Sequence, residues 1–156
     1  VLFESACQGA AALHLFQADK GEPSYRHSRL WISGEWQRHQ REGAEQAFAT
    51  TLPEVVHHSS LAVMLEHLLE IEGVRAWGRL ALDVYEGTGA ASRVMDEVAP
   101  AGWLLAIGPE GGWTARERAT LRHHGFTLAH LGERVLRSET AVTAAMTLAR
   151  AALGQV

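Results

Sequence analysis

Residues 106–117 read AIGPEGGWTARE, three glycines and a proline held between an apolar run and a charged one. Glycine admits positive φ and lets another backbone or a ligand come close to the amides. Pro109 stiffens the turn and biases Gly108 away from helix. Thr114, followed three residues later by Glu117, makes a capping box that fixes where the next helix starts. Upstream, GWLLAIG (102–108) is apolar almost throughout, as in a short strand buried on both faces. The stretch therefore reads as strand, glycine loop, helix. It is not a P-loop, because no Gly-Lys-Ser/Thr follows, and neither a phosphate cradle nor bound magnesium is expected.

The same alternation extends outward in both directions. Residues 1–9 read as the end of a helix stopped by Gly9, 10–18 (AAALHLFQA) as a strand, and the polar 19–34 as a loop. A helix is expected over 35–50, with Trp36, Gly43, Ala44, Ala47 and Phe48 forming a mostly small apolar face. LPEVVH (52–57) reads as a strand. SSLAVMLEHLLE (59–70) reads as a helix capped by Ser59 or Ser60, with Leu61, Met64, Leu65 and Leu68 at helical spacing. Then follow a strand over 77–86, a short helix over 90–98, the strand 102–108, a helix over 114–124, a strand over 126–131 and an Ala-rich closing helix over 139–153. Short strands separated by helices predict an α/β domain with a parallel sheet covered by helices on both faces. Ligands in such folds collect where the carboxyl ends of strands run into loops. Three loops qualify: YEGTGAAS (85–92), GPEGGWT (108–114) and LGERVLRSET (131–140).

Length and composition set the outer limits. The 156 residues, 47% of them hydrophobic, suffice for one domain with a real core. A single cysteine, Cys7, excludes an internal disulfide and fits a reducing, cytoplasmic setting, where it is expected as a small core residue. The uncharged run 98–109 is too short to span a bilayer, and no secretory leader opens the chain. Because the chain begins at Val1, inside a helix-like pattern, it reads as a piece of a longer protein. Fourteen Lys and Arg against eighteen Asp and Glu give a net charge of −4. That balance argues against a surface devoted to nucleic acid. The basic residues are nevertheless grouped, with Arg26, Arg29 and Arg38 early and Arg116, Arg118, Arg122, Arg134 and Arg137 late.

Each loop admits a plain reading and a functional one. Gly87, Gly89 and Ser92 approximate a dinucleotide fingerprint. The acidic residue required about 20 positions on is missing, and Ile107 stands there instead. An ordinary turn is the better reading, with a nicotinamide oxidoreductase as the alternative. In the third loop the aliphatic Val135 and Leu136 either pack against a flat ligand or plug the core, and Ser138 with Glu139 suits a helix start. The adjacent pairs His57–His58 and His123–His124 tempt a metal reading. Neighbours on a strand point to opposite faces, however, and no Cys/His cluster has zinc spacing, so no metal is expected.

Taken together, IGPEGGWTARE, the GF at 125–126 and LGERVLRSETA (131–141) closely resemble the C-terminal signature of the bacterial 16S ribosomal RNA uridine-N3 methyltransferases, a family of the SPOUT superfamily. EWQRHQREGAEQ (35–46) is similar to that family's tryptophan-led helix, and LPEV (52–55) to the strand after it. The similarity covers most of the chain and is specific from Ile107 to Ala141. Trp113 stands where an aliphatic residue or phenylalanine is commoner, a change expected to be tolerated as bulk.

The resemblance implies that residues 1–156 form a SPOUT-type methyltransferase domain, an α/β fold whose C-terminal end is threaded into a deep trefoil knot. Chain physics alone would not suggest a knot. The N-terminal PUA-like RNA-binding domain and the first elements of the catalytic domain are expected to be missing. The resemblance further implies S-adenosylmethionine as cofactor, a homodimer with the site at its interface, and ribosomal RNA of the small subunit as partner. Mapped onto this chain, the cofactor pocket would comprise Tyr85, Glu86, Ile107, Gly108, Pro109, Glu110, Gly111, Gly112, Leu131, Gly132, Val135, Leu136 and Arg137, with glycines where side chains would fill the cofactor's space.

The implied reaction methylates N3 of a uridine, which must first lose a proton. A positioned base contributes on the order of 10²–10⁴-fold to such a step. Glu139, or less favourably Glu110, is the candidate base, and water is the alternative acceptor. Arg137 would stabilise the uracil oxygen anion or clamp a phosphate, and Thr140 would orient the base. A non-catalytic RNA-binding module of the same fold would lack affinity for the cofactor.

Overall fold

The computed structural model describes residues 1–98 and 100–156, apart from the Arg26 side chain. Strand β3 (Gly78–Leu82) is the centre of the larger sheet, flanked by β4 (Trp103–Ile107) and β5 (Thr127–Ala129), all parallel, in the order β4-β3-β5. Side chains alternate across a strand, and β3 supplies a different core on each side. Ala81 packs with Leu61, Met64, Leu65 and Leu68 of α4 (Leu61–Glu70) and with Leu121 of α6 (Ala115–His123). Leu80 packs with Ala91 and Met95 of α5 (Ala91–Asp96) and Ala149 of α7 (Ser138–Ala152). The sheet is thus covered by helices on both faces.

A second parallel pair, β1 (Ala12–Phe16) with β2 (Glu54–His58), stands beside it. Among the described residues the strands form two hydrogen-bonded sheets rather than the single one expected. Side chains bridge them: Phe16 of β1 lies against the core that β3 and β4 share. Helix α1 (Leu2–Cys7) packs on α3 (Glu35–Gln46). A Cβ at Gly43 would collide with the carbonyl of Phe3, so glycine is what permits this approach.

Several boundaries move for local reasons. The expected loop 19–34 carries a 3-10 turn, Pro23–His27, and a short α2, Arg29–Ile32, each opened by a capping side chain, Glu22 and Ser28 respectively. Helix α3 stops at Gln46, so Phe48 does not extend its apolar face. It sits at φ 54 and is 96% exposed. Ser60, not Ser59, caps α4 by accepting from the N–H of Val63. The strand expected over 77–86 ends at Leu82, where Asp83 turns the chain. In the closing helix, Ala141, Ala145 and Ala149 are buried within the chain itself.

The segment that follows β5 runs parallel to the loop that follows β3. The N–H of Thr88 donates to the Leu128 carbonyl, that of Ala91 to the His130 carbonyl, and that of His130 to the Gly89 carbonyl, at 2.9–3.0 Å. A Cβ at Gly87 would collide with the Asp83 carbonyl of its own turn and press on the backbone of Ala129 and His130. The glycine of this turn therefore serves strand packing.

Candidate active site

The exit loops of β3, β4 and β5 converge on one open cleft. Its floor is Trp113, 1% exposed, stacked on Phe16 with centroids 6.2 Å apart. The indole N–H donates to the carbonyl of Leu82 at 2.9 Å. Trp113 is therefore more than bulk, since it joins the loop after β4 to the end of β3. A Cβ at Gly108 would come 3.0 Å from the indole, so the glycine makes room for Trp113.

The loop after β4 is held from two sides. The N–H of Gly112, at φ +68, closes the turn onto the Pro109 carbonyl at 2.8 Å. Lys20, in the loop after β1, donates to the carbonyl of Gly111 at 3.1 Å. Next to it, the N–H of Asp19 donates to Glu117 at 2.9 Å, and Thr114 donates to the Asp19 carboxylate at 2.7 Å. Arg116 and Thr114 hold the Asp19 carboxyl below its ordinary range. The expected capping box is complete, with Glu117 almost wholly buried.

The loop after β3 rests on Asp83. Its Oδ1 accepts the N–H groups of Tyr85 at 2.8 Å and Glu86 at 3.2 Å, and Arg118 of α6 binds both carboxylate oxygens. Burial opposes the charge on Asp83, but the bonds from Arg118 and the two amides outweigh it and hold the carboxyl below its ordinary value. Arg118 also pairs with Glu86 at 3.4 Å and lies 5.9 Å from the centre of the Tyr85 ring.

In the third loop, Gly132 adopts φ +108 and its N–H donates to Nδ1 of His130 at 3.2 Å, which places the proton of the neutral ring on Nε2. Val135 is 64% exposed and lines the cleft beside Leu136. Ser138, the first residue of α7, donates to Glu110 at 3.4 Å, linking the second and third loops.

Of the residues expected to form the pocket, Tyr85, Ile107, Gly108, Pro109, Glu110, Gly112, Leu131, Gly132, Val135 and Leu136 line the cleft. Glu86, Gly111 and Arg137 stand outside its lining. A side chain at Gly111 would meet Lys20 rather than enter the cleft. Arg137, Glu139 and Thr140 are exposed around the start of α7 and do not border the cleft of this single chain. The reading from sequence passed over Asp83 and His130, and it gave Ser138 only a place at a helix start. Asp83 carried a legible signal, as the first charged residue after the apolar stretch of β3.

The late basic group is largely neutralised. Arg116 pairs with Asp19, Arg118 with Asp83, and Arg122 with Glu86. Arg134 borders the cleft, and neither it nor Arg137 forms an ion pair among the described residues. The Arg26 side chain of the early group lies outside the described residues. Away from the cleft, His14, His58 and His67 come together, with Nδ1 of His14 hydrogen-bonded to Nε2 of His58 at 2.9 Å. The rings of His14 and His58 stack rather than converge on a common point, and among the described residues no group of three or more His, Cys, Asp or Glu side chains is arranged to hold a metal. No described helix is long and apolar enough to cross a membrane.

Known proteins resemble this arrangement. Residues 2–150 match the family model described as RNA methyltransferase domain. The chain is 32% identical over 148 residues to the ribosomal RNA small subunit methyltransferase E of Treponema pallidum, covering 93% of this chain and 54% of that protein. A putative methyltransferase of Legionella pneumophila, solved in complex with the bound cofactor SAM, superposes with a TM-score of 0.74 at 23% identity, over 97% of this chain and 59% of that one. The ribosomal RNA small subunit methyltransferase E of Neisseria gonorrhoeae, bound to S-adenosyl methionine, gives a TM-score of 0.71 at 23% identity, over 96% and 58%. The chain thus spans little more than half the length of these proteins. With nearly all of its residues inside the family model and an α/β fold to match, this chain belongs to the RNA methyltransferase domain family.

Proposed function

We propose that the cleft binds S-adenosylmethionine and that the chain transfers its methyl group to N3 of a uridine in small-subunit ribosomal RNA. The observation that carries this reading is the convergence of the three exit loops on one cleft, in the order that the signature IGPEGGWTARE…LGERVLRSETA implies. The residues present suit the cofactor. Gly132 has nothing within 4 Å of a would-be Cβ, Val135 and Leu136 offer aliphatic surface to a flat ring, and the loop backbones offer amides and carbonyls. When bound, S-adenosylmethionine supplies an activated methyl, so no metal is needed.

The chain's own residues orient and deprotonate. Leu131, Gly132, Val135 and Leu136 hold the adenosine end against Ile107, Gly108 and Pro109, while Tyr85, Glu110 and Gly112 bound the other walls. Glu86, Gly111 and Arg137 support these loops from outside. N3 loses its proton to Glu139, with Glu110 or water as the alternative acceptor. The N3 lone pair then takes the methyl as the carbon–sulfur bond breaks, releasing S-adenosylhomocysteine. Arg137 stabilises the uracil oxygen anion, and Thr140 orients the base. Because these three stand outside the cleft of one chain, the reading pairs two subunits so that the site is completed at their interface. It also includes the deep trefoil knot that the family resemblance implies. A PUA-like RNA-binding domain outside residues 1–156 supplies most phosphate contacts, with Arg134 and Arg137 guiding one splayed base.

Incubation of the full-length protein, RNA-binding domain included, with small ribosomal subunits and methyl-labelled S-adenosylmethionine, followed by nucleoside mass spectrometry, tests the reading. Labelled N3-methyluridine is the expected product. A label on another atom would overturn the target assignment, and no transfer in the presence of cofactor binding would favour a non-catalytic RNA-binding module.

A further inference from the structure

We infer that the buried Asp83–Arg118 pair positions the cofactor-facing loop after β3, acting on S-adenosylmethionine binding rather than on the stability of the fold. The inference rests on the cleft being the cofactor site. Asp83 is fixed by the sheet, its N–H donating to the Ala129 carbonyl at 2.8 Å, while its carboxylate turns beneath the loop. The side chains of Asp83 and Arg118 are 2% and 11% exposed. A carboxylate offers about four acceptor sites. Here four donors bind it: the amides of Tyr85 and Glu86 and two nitrogens of Arg118. Three of these bonds fall on Oδ1 and one on Oδ2, so the carboxylate is committed to the loop amides and to Arg118, and its role is exerted through the loop.

That loop carries Tyr85 into the cleft wall opposite Gly112, where a Cβ would come 3.5 Å from the Tyr85 ring. Arg118 fixes the same residue from below with its guanidinium under the ring. It also belongs to the helix that Thr114 caps at the end of the second loop. One ion pair thus sets the separation of two walls of the cleft. Stability alone is a poor reason for it, because apolar residues of similar volume commonly replace a buried ion pair without loss.

The double variant Asp83→Leu/Arg118→Met separates the two roles, with Arg118→Lys as the milder change that keeps the charge but not the fork. The measurements are thermal unfolding, calorimetric affinity for S-adenosylmethionine, and the split between KM and kcat in methyl transfer. The double variant is expected to unfold close to the native temperature, because Tyr85 and Glu86 are exposed and their freed amides are open to water, yet to bind S-adenosylmethionine about tenfold or more weakly, with KM for the cofactor rising and kcat and KM for RNA unchanged. Arg118→Lys is expected to show the same split more weakly, and it decides the matter if the double variant does not fold. A folded variant with native cofactor affinity overturns the inference. Absence of cofactor binding by the unaltered protein overturns the reading of the cleft itself, and the two failures are thereby distinguished.

Discussion

Lys20 donates a hydrogen bond from Nζ to the carbonyl oxygen of Gly111 at 3.1 Å, across 91 positions of sequence. The loop after β1 thereby grips the glycine loop after β4 from the side opposite the cleft. Lys20→Met removes the grip while keeping the aliphatic stem. Cofactor affinity is expected to fall about three- to tenfold, the worth of one modest hydrogen bond, with little change in thermal stability. Titration calorimetry of the variant checks this.

The two adjacent glycines of that loop differ in what they tolerate. Gly112 has φ +68, where an L-residue is strained, whereas Gly111 has no positive φ and a Cβ there would come 3.2 Å from Lys20 Cβ, a tight contact relieved by a shift of a few tenths of an ångström. Gly112→Ala is expected to cost about 1–2 kcal/mol. Gly111→Ala should stay within about 0.5 kcal/mol. Chemical denaturation of both variants gives the comparison, and equal losses would contradict the backbone assignment.

Trp113→Phe retains an aromatic ring but leaves the Leu82 carbonyl without its donor. A loss of about 1–3 kcal/mol in unfolding free energy is expected. A variant as stable as the native chain would return Trp113 to the role of simple bulk.

The histidine cluster predicts a pH dependence. Burial first, and then the neighbouring imidazoles, push His14 and His58 below their ordinary value of 6.5; Glu54 pulls His14 upward more weakly, and His57 adds to the effect on His58. Both side chains therefore bind protons less readily folded than unfolded. Stability contributed here is complete above about pH 6.5 and declines as pH falls below it, while the unfolded chain takes up protons first. Denaturation midpoints between pH 7.5 and 5, on the order of that window, should show the decline, and His14→Phe should flatten it.

Much of the fold was legible because its signals are local. Thr114 with Glu117 announced a capping box, Ser60 opened an apolar helical run, and glycines marked the strand exits. The contacts that shape the cleft are not local. Asp83 meets Arg118 across 35 positions, Asp19 meets Thr114 across 95, and His14 meets His58 across 44. No periodicity records such pairings. The paired state of Arg116, Arg118 and Arg122 was invisible for the same reason: the sequence shows grouped arginines, and the structure engages these three with acidic partners. The division into two sheets is likewise a matter of which strand edges meet. Strand patterning does not encode it.

Hydrogen exchange with and without saturating S-adenosylmethionine tests the central claim most directly, because it reports binding and its location together. Protection is predicted at the amides of 85–86, 108, 110–112 and 131–136, with the three-histidine region around β1 and β2 unchanged. Saturable binding that leaves those three loops unprotected, or no binding at all, would contradict the assignment of the cleft.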